Sequence, residues 1–260
     1  MKKLLLITVC LFASINSFSQ YSSVSFIVLN EGMEKAYLDV ERVWSEYHKE
    51  AVKNGQKSAW MIWKIVNFKA EDNISKDRYP NYLIIENYSS KKQLEEEWDR
   101  YSGEGMKKII GIIKEKSNLS NRQIDKILSK NTRKETRVYL HEILASTPFT
   151  GGSLKPGDKM TMTAMEQLSD DYEQFETEFY KDVFLNNIME GNHRFWGFTK
   201  ITDRSDNAFD FPTHVTWNLG FDEKNLKFPE DFVSNKILEI TPNVRKAYNP
   251  VNLTLVYIAE

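Results

Sequence analysis

Two stretches of this chain carry one pattern at one spacing. Val52, Gly55, Trp60, Lys64 and Ile65 stand in a fixed order, and Ile188, Gly191, Trp196, Lys200 and Ile201 repeat it with every member 136 residues later. Each Gly ends a helix-like run and each Trp opens a strand-like one. A repeat that keeps a helix stop and a strand start together over that interval predicts an internal duplication, which limits the chain to two similar units.

In the first unit, 22–29 is β-rich and leads to a helix over 32–54, with apolar residues at three-to-four spacing and Gly55 as its stop. Strands follow at 58–68 and 82–88, then a charged helical stretch over 90–133 broken near Ser102-Gly103 and Asn118–Asn121, then a strand at 135–144. The order is βαββαβ, a ferredoxin-like unit. The Gly/Pro/Ser/Thr-rich stretch 146–158 predicts a linker. A second unit then runs strand 159–167, helix 170–190, strands 194–202 and 213–221, helix 229–248 and strand 253–259. Asp170 with Glu173 predicts a capping box, and Pro229 a first helical turn. The expected domains are a leader at 1–19, a first unit at 20–145, the linker at 146–158 and a second unit at 159–260.

Several strands are apolar without alternation, including Ala59–Val66, interrupted only by Lys64, and Leu83–Ile85. Such strands are covered on both faces, while the helices of a βαββαβ unit cover one. The sheet of the other unit is the simplest second cover. The expected fold is α+β, two tandem ferredoxin-like units whose antiparallel sheets pack face to face as a pseudo-dimeric α+β barrel. That order of elements, with the helix-to-strand segment around Trp44, His48, Gly55 and Trp60, resembles the dimeric α+β barrel superfamily. Its members include antibiotic-biosynthesis-type and haem-degrading monooxygenases and chlorite-dismutase-like proteins. The resemblance implies a small-molecule cavity between the first helix and the sheet, and leaves the chemistry open.

Residues 1–19 combine Lys2 and Lys3, an apolar run from Leu4 to Ala13 and small residues at Ser17 and Ser19. They predict a cleaved signal peptide, an exported product that is periplasmic or secreted, and no integral membrane segment in the mature chain. Cys10 is the only cysteine, so stability must come from packing alone. A formal charge of −2 gives no basic excess for a nucleic-acid partner.

His48 is the candidate catalytic residue, because helical spacing sets it on one face with Trp44. Glu41, Trp44, Tyr47, His48 and Trp60 are the candidate ligand-binding residues of the first unit, with Tyr180 and Trp196 their counterparts in the second. Glu41 is placed to pair with Trp44 or His48. Phe184 stands where His48 does, so the second unit is expected to lack the polar centre. Trp60 and Trp63 should face opposite sides of one strand. His141, His193 and His214 read as structural or exposed. No metal-ligand spacing is present, and no cofactor is called. The haem-degrading relatives use an axial His on the second helix, and 90–133 contains no His.

The readings are an exported barrel binding a small, largely apolar molecule, a cofactor-independent monooxygenase-like enzyme in which His48 or a tyrosine handles a proton, and a filled barrel acting through its surface, with 102–133 as the place to look. The pseudo-dimer lies within one chain and leaves room for further oligomerisation.

Overall fold

The computed structural model describes residues 20–69, 74–220 and 226–260. The predicted leader with Cys10 and the expected strand end at Phe221 lie outside the described residues. The first half contains β1 (Tyr21–Leu29), α1 (Glu34–Lys53), β2 (Ala59–Asn67), β3 (Tyr82–Tyr88), α2 (Lys91–Arg100), α3 (Gly103–Lys116), α4 (Asn121–Leu128) and β4 (Arg133–Ser146). The second contains β5 (Lys159–Gln167), α5 (Tyr172–Gln174), a π-helical turn (Phe175–Tyr180), α6 (Lys181–Met189), β6 (Phe195–Arg204), β7 (His214–Leu219), α7 (Phe232–Val244), β8 (Arg245–Ala247) and β9 (Val251–Ala259).

Strands pair in the order β4-β1-β3-β2 in the first half and β9-β5-β7-β6 in the second, all antiparallel. The halves do not stack as two separate layers. β2 pairs with β9 and β4 with β6, closing eight strands into one barrel, with β8 lying beside the end of β5. Closure pairs the edges that separate sheets would leave exposed. The barrel interior is filled from both halves, by Val24, Met61, Trp63, Leu83 and Ile85 on one side and Met160, Met162, Val215, Trp217 and Leu219 on the other. Trp60 lies on the opposite face of β2, packed with Ile62, Tyr37 and Tyr82 beneath α1. Strand parity thus separates Trp60 from Trp63.

The helix ends explain the 136-residue repeat. After α1, the Gly55 N–H donates to the Val52 carbonyl (2.9 Å) and Gln56 to Ala51 (2.8 Å). After α6, Gly191 donates to Ile188 (3.0 Å) and Asn192 to Asn187 (2.9 Å). Both are Schellman closures, with Gly55 at φ +67° and Gly191 at φ +78°. Gly55→Ala is expected to cost about 1 kcal/mol from its left-handed backbone. An unchanged urea midpoint would contradict this.

Two expected helices differ. The helix predicted over 170–190 starts at Tyr172 without a side-chain cap, so the Asp170–Glu173 box does not form. Instead Glu173 meets Lys200 and His214. The helix predicted from Pro229 starts at Phe232, because Asp231 accepts from the Val233 and Ser234 N–H groups. It stops at Val244 rather than Tyr248, because Arg245–Ala247 pair with β5. Tertiary strand pairing overrides local helix pattern there.

Candidate active site between the first helix and the sheet

α1 is buried on two sides. Val43, Tyr47 and Ala51 meet Ile109, Ile113 and Ile124 of α3 and α4, so the insert that the second half lacks is a cover for this helix. The other stripe, Glu41, Trp44 and His48, faces the outer surface of β1, β2 and β3, as three-to-four spacing requires. Between them lies a cavity of about 320 Å³, closed on its far side by Trp98, Tyr101 and Met106.

At one end His48 stacks on Trp60, ring centroids 4.3 Å apart and 11° from parallel. Behind His48 sits Lys57, whose side chain is 0% exposed. Its ammonium lies 3.2 Å from His48 Nδ1, 2.7 Å from Glu86, 2.6 Å from Glu97 and 3.1 Å from the Tyr101 hydroxyl. Tyr47 and Arg100 also donate to Glu97. Two carboxylates thus face two cations, as burial of charge demands. Burial, and then the neighbouring carboxylates, hold the Tyr47 and Tyr101 phenols above their usual range, so both stay protonated.

Burial holds His48 well below the usual histidine range, and the Lys57 and Arg133 cations act in the same direction. The ring is neutral at pH 7. An ammonium has only protons to offer, so Nδ1 accepts from Lys57 and the imidazole proton sits on Nε2. His48 is therefore set as a hydrogen-bond donor.

At the other end the Arg133 guanidinium meets Glu41 at 2.5 Å, and the Tyr37 hydroxyl faces the same carboxylate. Glu41 pairs with neither Trp44 nor His48. Burial raises its pKa and Arg133 opposes the rise. Tyr47, expected in the pocket, is turned into the Glu97 network instead. Glu41, Trp44, His48 and Trp60 do come together.

Tyr180 and Trp196 belong to a separate cavity of about 260 Å³ in the second half, with Phe184, Phe228, Glu176 and Arg245. Phe184 stacks on Trp196 at 11°, as His48 does on Trp60. This half was expected to lack the polar centre and to be degenerate or apolar, yet it holds a buried Glu176–Arg245 ion pair. The cause of the misreading is the π-helical turn, which adds one residue to the helix. Ahead of it the repeat interval falls to 135, so Tyr172 and Glu176 match Tyr37 and Glu41. Arg133 pairs in register with Leu29, the last residue of β1, and Arg245 with Gln167, the last residue of β5. Both halves thus carry a Tyr–Glu–Arg set, and only the first carries the His–Lys set.

The remaining histidines are all buried, none exposed. His141 bonds Thr199 (2.8 Å) inside the barrel, and His214 faces Glu173. Among the described residues, no group of three or more His, Cys, Asp or Glu is arranged to hold a metal ion, and no helix is long and apolar enough to cross a membrane.

No family model and no curated protein matches the sequence. Solved structures do match. A proposed monooxygenase from Lactobacillus acidophilus is similar at 10% identity and TM-score 0.54, over 93% of this chain and 96% of that one. A proposed monooxygenase from Fusobacterium nucleatum is similar at 7% identity and TM-score 0.56, over 93% and 94%. An anthrone oxidase-like protein is similar at 12% identity and TM-score 0.49, over 92% of each chain. At these identities the likeness is one of fold, a mixed α+β chain with a barrel-like sheet.

Proposed function

We propose that the first helix–sheet cavity binds a small planar molecule with an apolar body and a carbonyl or phenolate oxygen that accepts from His48 Nε2–H. The carrying observation is the Lys57 ammonium 3.2 Å from Nδ1 of a ring stacked against Trp60, which leaves the imidazole proton to Nε2. Lys57 behind the ring favours negative charge on the accepted oxygen. Trp44, Trp98 and Met106 supply apolar walls.

Bound 1-hydroxyanthraquinone should quench tryptophan fluorescence, with anthracene as the oxygen-free control. His48→Phe copies the second half, where Phe184 stacks on Trp196 in the same way, so it should fold. It is expected to weaken hydroxyanthraquinone binding up to about tenfold and leave anthracene unchanged, the loss of one neutral hydrogen bond. Equal weakening of both, or of neither, would remove His48 from this role.

A second reading is cofactor-independent oxygenation of an electron-rich phenol, with His48 stabilising the oxyanion. The full-length likeness in fold to two proposed monooxygenases favours keeping it. Oxygen consumption on adding a polyphenol, lost in His48→Phe, would select it over simple binding.

In the same reading the chain is a tandem duplicate of a ferredoxin-like unit, with units at 20–145 and 159–260, exported through the leader at 1–19. The shared strand orders and helix closures support the duplication. The charge and apolar pattern of the leader supports export.

A further inference from the structure

The barrel interior is unevenly filled. At the end where β4 leaves for β5, about 270 Å³ remains open among Met61, Trp63, Met160, Phe195, Trp217 and Leu219. It lies on the inner side of the sheet, whereas Trp60 and the first cavity lie on the outer side. Its origin is legible in the repeat. Met61 points inward from β2, and the position 136 residues later is Gly197. A Cβ at Gly197 would stand 2.9 Å from the Phe195 ring, so the missing side chain leaves room for that ring and for the space beside it.

Two further observations give this space the character of a binding site. Among the described residues the Trp63 indole N–H is buried without a hydrogen-bond partner, although Trp63 lines the cavity and is 1% exposed. A buried donor left unpaired carries a desolvation cost that an acceptor in the cavity would relieve. In contrast, the Trp217 N–H opposite is satisfied by Thr199 (3.1 Å). The lining also contains no Lys, Arg, Asp or Glu, which selects against an ion.

The segment after β4 crosses the mouth of this cavity. Phe149 packs on Phe195, and Arg194 holds the segment through the Thr150, Gly151 and Gly152 carbonyls. Phe149 is 40% exposed, so the cover is thin.

We infer that the barrel interior is a second binding site, for a neutral apolar molecule whose single acceptor oxygen takes the Trp63 indole N–H. An apolar cavity of about 150 Å³ accepts benzene, so this one fits about ten to thirteen non-hydrogen atoms. 2-Acetylnaphthalene has that size and one carbonyl, and 2-ethylnaphthalene is its oxygen-free match.

Titration calorimetry on the full chain is expected to show the ketone binding about tenfold more tightly than the hydrocarbon. In protein already carrying His48→Phe, whose first cavity has lost its donor, Trp63→Phe should bring that ratio to about one while hydrocarbon affinity holds. His48→Phe alone should keep a preference for the ketone, which separates failure here from failure of the first cavity. In the wild-type protein the assigned Trp63 indole N–H resonance should move downfield with the ketone and less with the hydrocarbon, a readout that stands if Trp63→Phe does not fold. Absence of binding by both probes, a ratio near one in the wild type, or a ketone that leaves the Trp63 resonance in place would overturn the inference.

Discussion

Acidifying the protein from pH 6.5 to pH 5 is expected to remove about 3 kcal/mol of stability through two histidines, well before most carboxylates titrate. Burial holds His48 well below the usual range, next to the Lys57 and Arg133 cations, and lowers His141 to about 3, next to His214 and Arg204. The unfolded chain takes up these protons near pH 6.5 and the folded chain refuses them, so below 6.5 the unfolded state binds more protons. Their stabilisation is complete above pH 6.5 and is lost as pH falls toward the folded values. His193 and His214, also lowered chiefly by burial, act in the same sense. Glu41 acts against them, since its raised pKa lets the folded state hold a proton at higher pH than the unfolded one. Against a total of about 5–15 kcal/mol for an ordinary domain, the loss is large. Urea midpoints at pH 7, 6 and 5 should fall steeply at constant slope, and a flat series would show that these rings are not held neutral by the fold.

Lys57→Met is expected to destabilise the protein by about 3–5 kcal/mol, because it strips a buried cation from two carboxylates. Glu97 is 0% exposed and would keep Arg100 as its only cation beside the Tyr47 phenol, and Glu86 would keep only phenol donors. Exchanging Lys57, Glu86 and Glu97 together for Met, Gln and Gln should recover much of the loss, because the cost lies in unpaired charge rather than shape. The single variant, where it still folds, should also bind hydroxyanthraquinone more weakly than anthracene requires, since nothing then holds the His48 tautomer. A urea midpoint within the wild-type error would show that the cluster is solvated.

Much of the first cavity was legible. Trp44, His48 and Glu41 fall on one helix stripe by spacing alone, and strand parity separates Trp60 from Trp63. Tyr47 was misplaced because α1 has two buried faces, and the pattern of one helix does not say which partner each face meets. Lys57 carried no signal, because a lysine just past a helix stop reads as solvated, and only Glu86 and Glu97, brought from β3 and α2, make its burial tolerable. The Glu176–Arg245 pair escaped because fixed-interval matching fails across a one-residue insertion, and a helix absorbs that insertion as a π turn without visible change in its polarity pattern.

By itself the sequence determined what local rules govern: two glycine helix stops, the alternation of the main elements in each half, and the faces of the helices and strands. Those follow from backbone sterics and from the 3.6- and 2-residue periods, which act within a few neighbours. Only the tertiary structure decided how β2 meets β9 and β4 meets β6, which charges share a buried site, which nitrogen of His48 bears the proton and where the barrel is left open. Each depends on groups far apart in the chain, and their burial and pairing energies exist only once the barrel has closed around them.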